Sequence, residues 1–236
     1  MLTLANNIDV AAANAAFARD GHVRLQPFLA EAAAIACLAE MKRRSDWVQV
    51  INSGDKVFEL SRETRAAMTA TQRDGLEQAV LAGAQTGFQY RYEALRLPDG
   101  TAPPPAGDSL IAGWPAFLSG AEVRGLLQAI TGAADIAFAD GQATAYGPGD
   151  FLTGHDDAVS GKHRRAAYVF SLNPLWRVEW GGLLLFHADG NRVHGVAPDF
   201  NSLDIFAVPQ MHSVSMVTGS VPNRRYSITG WLRANG

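Results

Sequence analysis

The spacing of apolar positions changes character near Asp135, separating two kinds of predicted element. Upstream, an alanine-rich run over residues 8–19 has helical spacing, with Asp9 as N-cap and Asp20-Gly21 as stop. His22-Val23-Arg24-Leu25 alternates as a strand does, and His22, with no acidic or histidine neighbour at ligand spacing, reads as a surface residue. A second helix is predicted over 30–44. Residues 47–52 and 56–60 flank Ser53-Gly54-Asp55 in a hairpin pattern. Ser61 then caps a helix to about residue 84, with Glu63 near its positive end, and residues 89–95 form a strand. The prolines of segment 97–107 fix φ and remove donors, so it is a loop, read as internal to one domain because neither flank has a separate composition. Trp114-Pro115 through Gly132 predicts a turn and one helix capped near Ser119.

Downstream, short strands recur at fairly regular spacing: 136–146, 165–172, 182–186, 191–196, 202–208, 212–218 and 225–233. Gly147-Pro148-Gly149-Asp150, Trp180-Gly181-Gly182, Ala188-Asp189-Gly190 and residues 219–223 supply turns. This is the pattern of a β-sandwich or barrel, mainly β with supporting α-helices.

Composition narrows the class. The 236 residues, 47% hydrophobic and 18% charged, can bury a substantial core. A net charge of −3 with dispersed basic residues gives no nucleic-acid footprint. The lone Cys37 excludes an intramolecular disulfide and a cysteine-based zinc site, and sits in an apolar helical run as a packing residue. No charged segment followed by an apolar run opens the chain, and no stretch suits a membrane span, so no membrane partner is expected and the cytoplasm is the expected location.

The polar stretch Gly154-His155-Asp156-Asp157 carries the candidate chemistry. In an extended strand His155 and Asp157 share a face while Asp156 points away. His212, opening a later strand, can return as a third ligand. Two imidazoles and one carboxylate leave coordination positions open, which suits non-haem Fe(II) and oxygen. His-x-Asp alone is a weak signal. It is strengthened by Arg225 and Ser227, on one face of the final strand, where a guanidinium fork and a hydroxyl can grip a carboxylate. His187 and His194 flank the Asp189-Gly190 turn as solvated imidazoles, His163 lies in a basic loop, and Asp156 is a candidate loop cap.

Tyr146-Gly147-Pro148-Gly149-Asp150-Phe151-Leu152, His155-Asp156-Asp157, Arg164 through Leu172-Asn173, Trp180-Gly181-Gly182, Pro198, Phe200-Asn201, His212-Ser213-Val214 and Arg225-Tyr226-Ser227-Ile228-Thr229-Gly230-Trp231-Leu232 occur in an order that resembles the 2-oxoglutarate/Fe(II)-dependent oxygenases. The nearest branch is the prolyl 4-hydroxylase-like one, similar to hydroxylases of prolyl residues in translation proteins. The resemblance runs from about residue 143 to the C-terminus. It implies a double-stranded β-helix (jelly-roll, cupin-like barrel) over 133–236, supported by helices and additional strands over 1–132, in a single domain of 1–236. It implies Fe(II) on His155, Asp157 and His212, and O2 as oxidant. 2-Oxoglutarate would sit with its distal carboxylate on Arg225 beside Ser227, aided by the Tyr146 hydroxyl and bordered by Trp231; ascorbate is a candidate accessory. Arg164 matches a basic position near the substrate entrance.

The implied reaction couples oxidative decarboxylation of 2-oxoglutarate to hydroxylation of a substrate. A prolyl residue in a protein or peptide leads, ahead of a free amino acid or small metabolite, and ahead of a catalytically idle peptide- or metal-binding module. Loop 97–107 and hairpin 47–60 are candidates to cover the substrate. Two departures stand out. The interval from His212 to Arg225 is longer than in many relatives, leaving Arg224 as a rival anchor, although alternation with Ser227 favours Arg225. Ser171 stands where several prolyl hydroxylases carry a cosubstrate-binding tyrosine, and Asn173 reads as a turn residue at a strand end. Oligomeric state is left open.

Overall fold

The computed structural model describes residues 1–101, 109–189 and 191–236. Most of the proline-rich segment expected as a loop or flap, and Gly190 of an expected turn, lie outside the described residues. The first part of the chain runs α1 (Val10–Asp20), β1 (His22–Leu25), α2 (Glu31–Arg43), β2 (Val48–Ser53), β3 (Lys56–Ser61) and α3 (Arg62–Ala67). It continues through α4 (Ala70–Thr86), β4 (Tyr90–Arg96), α5 (Trp114–Ser119) and α6 (Ala121–Thr131). Strands then follow: β5 (Ile136–Tyr146), β6 (Phe151–His155), β7 (Arg164–Leu172), β8 (Leu184–Ala188), β9 (Arg192–Val196), β10 (Phe200–Ala207), β11 (His212–Val214) and β12 (Arg225–Ala234).

These strands form one curled antiparallel sheet of jelly-roll type, in the order β1-β10-β7-β12-β5-β4-β6-β11-β8-β9, with the β2–β3 hairpin attached through β4. Strict alternation gives it two faces. Ala143, Ala145, Phe170, Leu203, Ile205, Ile228 and Leu232 point outward into the core built with α1, α2, α5 and α6. The residues between them, such as Tyr146, Val169, Phe206 and Arg225, line the concave interior. Trp114 stacks on Phe170 at 4.5 Å between ring centroids and is fully buried, fixing α5 to the sheet. Cys37 is buried in the same core. No helix among the described residues is long and apolar enough to cross a membrane.

Several expectations need correction. The helix expected from Ser61 to residue 84 breaks in two: Ser61 caps only α3, and Thr69 opens α4 through a reciprocal capping box with Gln72. The turn expected before the last helix is itself a helix, α5, closed where the Ser119 hydroxyl donates to Pro115 O at 2.7 Å, and the cap expected near Ser119 falls on Gly120. His22 is half-buried rather than on the surface, because its partner is far away in sequence: Nε2 lies 3.0 Å from Asp204 Oδ1, beside Arg24 on the same carboxylate. Asn173 is no mere turn residue. Its amide donates to Tyr226 O at 3.0 Å and accepts from Tyr226 N at 2.9 Å, pinning the start of β12.

Candidate metal and cosubstrate site

His155 ends β6, His212 begins β11, and the two are direct partners in the antiparallel ladder. Asp157 arrives differently from the expected alternation. The strand stops at His155, and Asp157 adopts a left-handed φ of 63°, which turns its carboxylate back toward the imidazoles. Arg164 holds that turn by donating from Nη1 to Asp157 O at 2.9 Å. Asp156 caps the following loop, accepting from Ala158 N at 3.0 Å. One carboxylate oxygen of Asp157 lies 3.5 Å from His155 Nε2 and the other 3.5 Å from His212 Nε2. The three residues present ligand atoms all within 4.8 Å of one another.

The second ring nitrogens fix the tautomers. His155 Nδ1 lies 3.1 Å from Thr153 O and His212 Nδ1 lies 2.7 Å from Gln210 O. A carbonyl only accepts, so each Nδ1 carries the proton and each Nε2 turns a lone pair toward Asp157. Burial first, and the neighbouring His155 second, push the His212 pKa down to about 4, keeping it in the neutral, ligating form. With both rings in that tautomer, two lone pairs and a carboxylate converge, an arrangement a cation satisfies.

Arg225 closes the far end of the same cavity, which measures about 480 Å³. It faces Tyr146 across the β12–β5 pairing, with its guanidinium 5.2 Å from the Tyr146 ring centroid. Arg225 is 2% exposed, its Nε has no hydrogen-bond partner, and among the described residues no carboxylate lies within ion-pair distance of it. Its Nη1 donates to Ser227 Oγ at 2.9 Å, and Ser227 Oγ lies 3.0 Å from Thr144 Oγ1. Ser227 is therefore behind Arg225 and holds it, rather than standing on the cavity wall beside it. Arg224 points to the opposite face and pairs with the fully buried Glu93 at 3.2 Å, alongside Arg62 and Arg65. Ser171 falls in register with Ser227 and is buried, so no tyrosine contact arises there.

Trp231 and Arg164 form the mouth. The Arg164 guanidinium lies 3.5 Å over the Trp231 ring, and both Arg164 Nε and Trp231 Nε1 lack partners. Sequence reasoning missed Tyr90, Tyr92, Gln142 and Phe88 on this wall. Tyr92 stacks on Tyr146 at 4.9 Å and accepts from Gln142 Nε2 at 3.0 Å. Tyr90 and Tyr92, two apart in a strand, carried the signal that both face one way. His187 is less solvated than expected, with Nε2 2.8 Å from Ser213 Oγ, and His194 stacks on Phe186 at 5.3 Å.

Comparison with known proteins fits this arrangement. Residues 141–233 match a family model described as the 2OG-Fe(II) oxygenase superfamily. This segment is similar to that superfamily. No curated protein sequence matches the chain. Among solved structures, a Pseudomonas putida prolyl-4-hydroxylase aligns over 96% of this chain and 100% of its own, at TM-score 0.62 and 20% identity. An oxidoreductase of the 2OG-Fe(II) oxygenase family from Burkholderia pseudomallei aligns over 98% and 94%, at TM-score 0.61 and 18% identity. A Trichoplax adhaerens prolyl hydroxylase in complex with a hypoxia inducible factor peptide fragment aligns over 95% and 89%, at TM-score 0.58 and 13% identity. At these identities the structural likeness establishes the fold, a double-stranded β-helix of jelly-roll type.

Proposed function

We propose that the chain, as one domain over 1–236, is a 2-oxoglutarate- and Fe(II)-dependent dioxygenase that hydroxylates a prolyl residue in a protein or peptide. His155 Nε2, His212 Nε2 and the Asp157 carboxylate would hold the ion, and the donor set of two imidazoles and one carboxylate suits Fe(II). The ion, when bound, supplies the oxidising chemistry with O2 that no side chain of this cavity can perform.

The observation that carries the reading is the unpaired guanidinium of Arg225, buried in the same cavity as the three ligand atoms. A buried cation without a carboxylate partner is costly, and a carboxylate from the cosubstrate would relieve that cost with charge-assisted bonds. A dicarboxylate acid places one carboxylate there and leaves the other end for the metal centre. Ser227 and Thr144 set the orientation of Arg225, and Tyr146 and Trp231 bound the cosubstrate. Tyr92, Leu184, Phe206 and Val214 exclude water from the chamber. Phe88 and Tyr90 offer ring faces on the cavity wall, which suit the flat, apolar ring of proline. Arg164, bonded to the Asp157 carbonyl and 3.8 Å from its carboxylate, borders the cavity as a cation beside the reacting centre. The prolyl hydroxylase neighbours from Pseudomonas putida and Trichoplax adhaerens support the choice of substrate.

The test is succinate formation from 2-oxoglutarate with Fe(II), with ascorbate present to keep the ion ferrous, in the presence and absence of proline-containing peptides. Hydroxyproline appearing in step with succinate is the expected result. Succinate formation that no prolyl peptide stimulates would remove the prolyl assignment.

A further inference from the structure

A second cavity of about 620 Å³ opens beside the metal site, between the β2–β3 hairpin and α4. Ile51, Phe58, Leu60, Leu76 and Val80 form its floor and sides, and Phe88 is shared with the metal cavity. Asp55 is the sole charged residue on its lining. The exposed large apolar side chains of this region gather here: Phe58 is 51% exposed and Phe88 is 48% exposed. Such a concentration of exposed apolar surface marks an interaction site more often than a bare wall.

Phe88 is held in place although half its surface is open. Its carbonyl accepts from Asn52 Nδ2 at 2.8 Å, and Tyr90 N donates to Asn52 Oδ1 at 2.7 Å. Gln89 donates from Nε2 to Asn52 O at 2.6 Å, and its backbone is tied both ways to Thr153. Asn52 and Gln89 are themselves buried. This buried amide network ties the Phe88 backbone to β6, the strand that carries His155, and sets the Phe88 ring 5.3 Å from the His155 ring. A half-exposed aromatic fixed between two cavities is a partition, with a metal ligand on one side and an apolar groove on the other.

We propose that this groove is a subsite for an apolar side chain of the polypeptide substrate, a few residues along from the one that reacts. The inference rests on the peptide reading above and deepens it. Continuity through Phe88 puts the groove on the path of a chain leaving the metal cavity, and the near absence of charge selects leucine, methionine or phenylalanine over an acidic or basic residue. A free amino acid held in the metal cavity would have no part that reaches it.

The test uses pairs of short fluorescein-labelled peptides centred on proline, which differ by leucine against aspartate at each flanking position in turn. Binding is read by anisotropy on the Mn(II)- and 2-oxoglutarate-loaded protein, and turnover by succinate. Two variants address the groove from opposite walls: Phe58→Asp places a charge in it and Ala79→Trp fills it from α4. The wild type should bind one leucine peptide about ten-fold or more tightly than its aspartate partner, the scale of burying such a side chain. Both variants should abolish that preference while 2-oxoglutarate turnover without peptide continues, which reports an intact centre. Peptides that bind with no leucine preference, or with a preference that survives both variants, overturn the subsite and leave the prolyl reading standing. Absence of any peptide binding alongside normal uncoupled turnover overturns both.

Discussion

His155 and His212 face each other across the β6–β11 pairing with ring centroids 4.1 Å apart, each Nδ1 tied to a backbone carbonyl. Removing either imidazole, or the Asp157 carboxylate between them, takes away a donor that the others cannot replace. His155→Ala and Asp157→Ala should each lose turnover and weaken Mn(II) binding by more than the roughly ten- to hundredfold typical of losing an outer partner. Calorimetric titration with Mn(II), with circular dichroism to confirm the fold, checks this. Parent-like turnover in either variant would remove the ligand assignment.

Arg225 and Arg224 are adjacent in sequence and opposite in environment. Arg225→Ala should raise the 2-oxoglutarate KM by on the order of a hundredfold, the weight of a bidentate charge-assisted contact. Arg224→Ala should leave it nearly unchanged and instead lower stability, because Glu93 keeps only Arg62 and Arg65. Steady-state kinetics against 2-oxoglutarate separates the two, and equal effects would count against Arg225 as the anchor.

Gly182 passes directly over Arg225. Its φ is +64°, and a β-carbon there would lie 3.0 Å from Arg225 Cδ and 3.1 Å from Val217 Cγ2. Gly182→Ala should therefore cost on the order of 1–3 kcal/mol through backbone strain and crowding. It should also raise the 2-oxoglutarate KM without touching the metal ligands. Urea unfolding and the same kinetics measure both parts; unchanged KM would mean the guanidinium tolerates the shift.

Asp150, in the turn between β5 and β6, gives a pH signature. Burial pushes its carboxyl up to about 6, against the pull of Gly147 N–H and of Arg91 and Arg224. The fold then binds this proton more tightly than the unfolded chain does. The contribution is fully present below about pH 4 and is lost as pH rises through about 6, with a slope of up to about 1.4 kcal/mol per pH unit. Asp150→Asn should abolish that slope. Comparing the unfolding free energies of the two proteins across this window decides it; parallel curves would show that Asp150 ionises normally.

How much of this was legible in the sequence depended on where each partner lay. The bounds of β5 read off to the residue, because the run from Ile136 follows the helix stop at Gly132 and ends in a Gly-Pro-Gly-Asp turn. The three residues that converge at the candidate metal site were also legible, but Asp157 arrives by another route than expected: a left-handed residue after the strand brings it round, not alternation within one. The break before α4 left a signal in Thr69 and Gln72 that a continuous helical pattern obscured. His22 and Asn173 were misread because their partners, Asp204 and the Tyr226 backbone, are brought to them only by sheet pairing. Ser227 was placed correctly beside Arg225, and only packing shows that it stands behind it.

Strand β12 carries Arg225, Thr229 and Trp231 toward the chamber and Ile228 and Leu232 into the apolar layer under the helices. A one-residue slip against β5 or β7 would exchange these sets and drive a guanidinium into that layer. The residue assigned to grip the cosubstrate would thus also weigh against a mis-zipped barrel, since the correct alignment keeps its charge in the polar chamber.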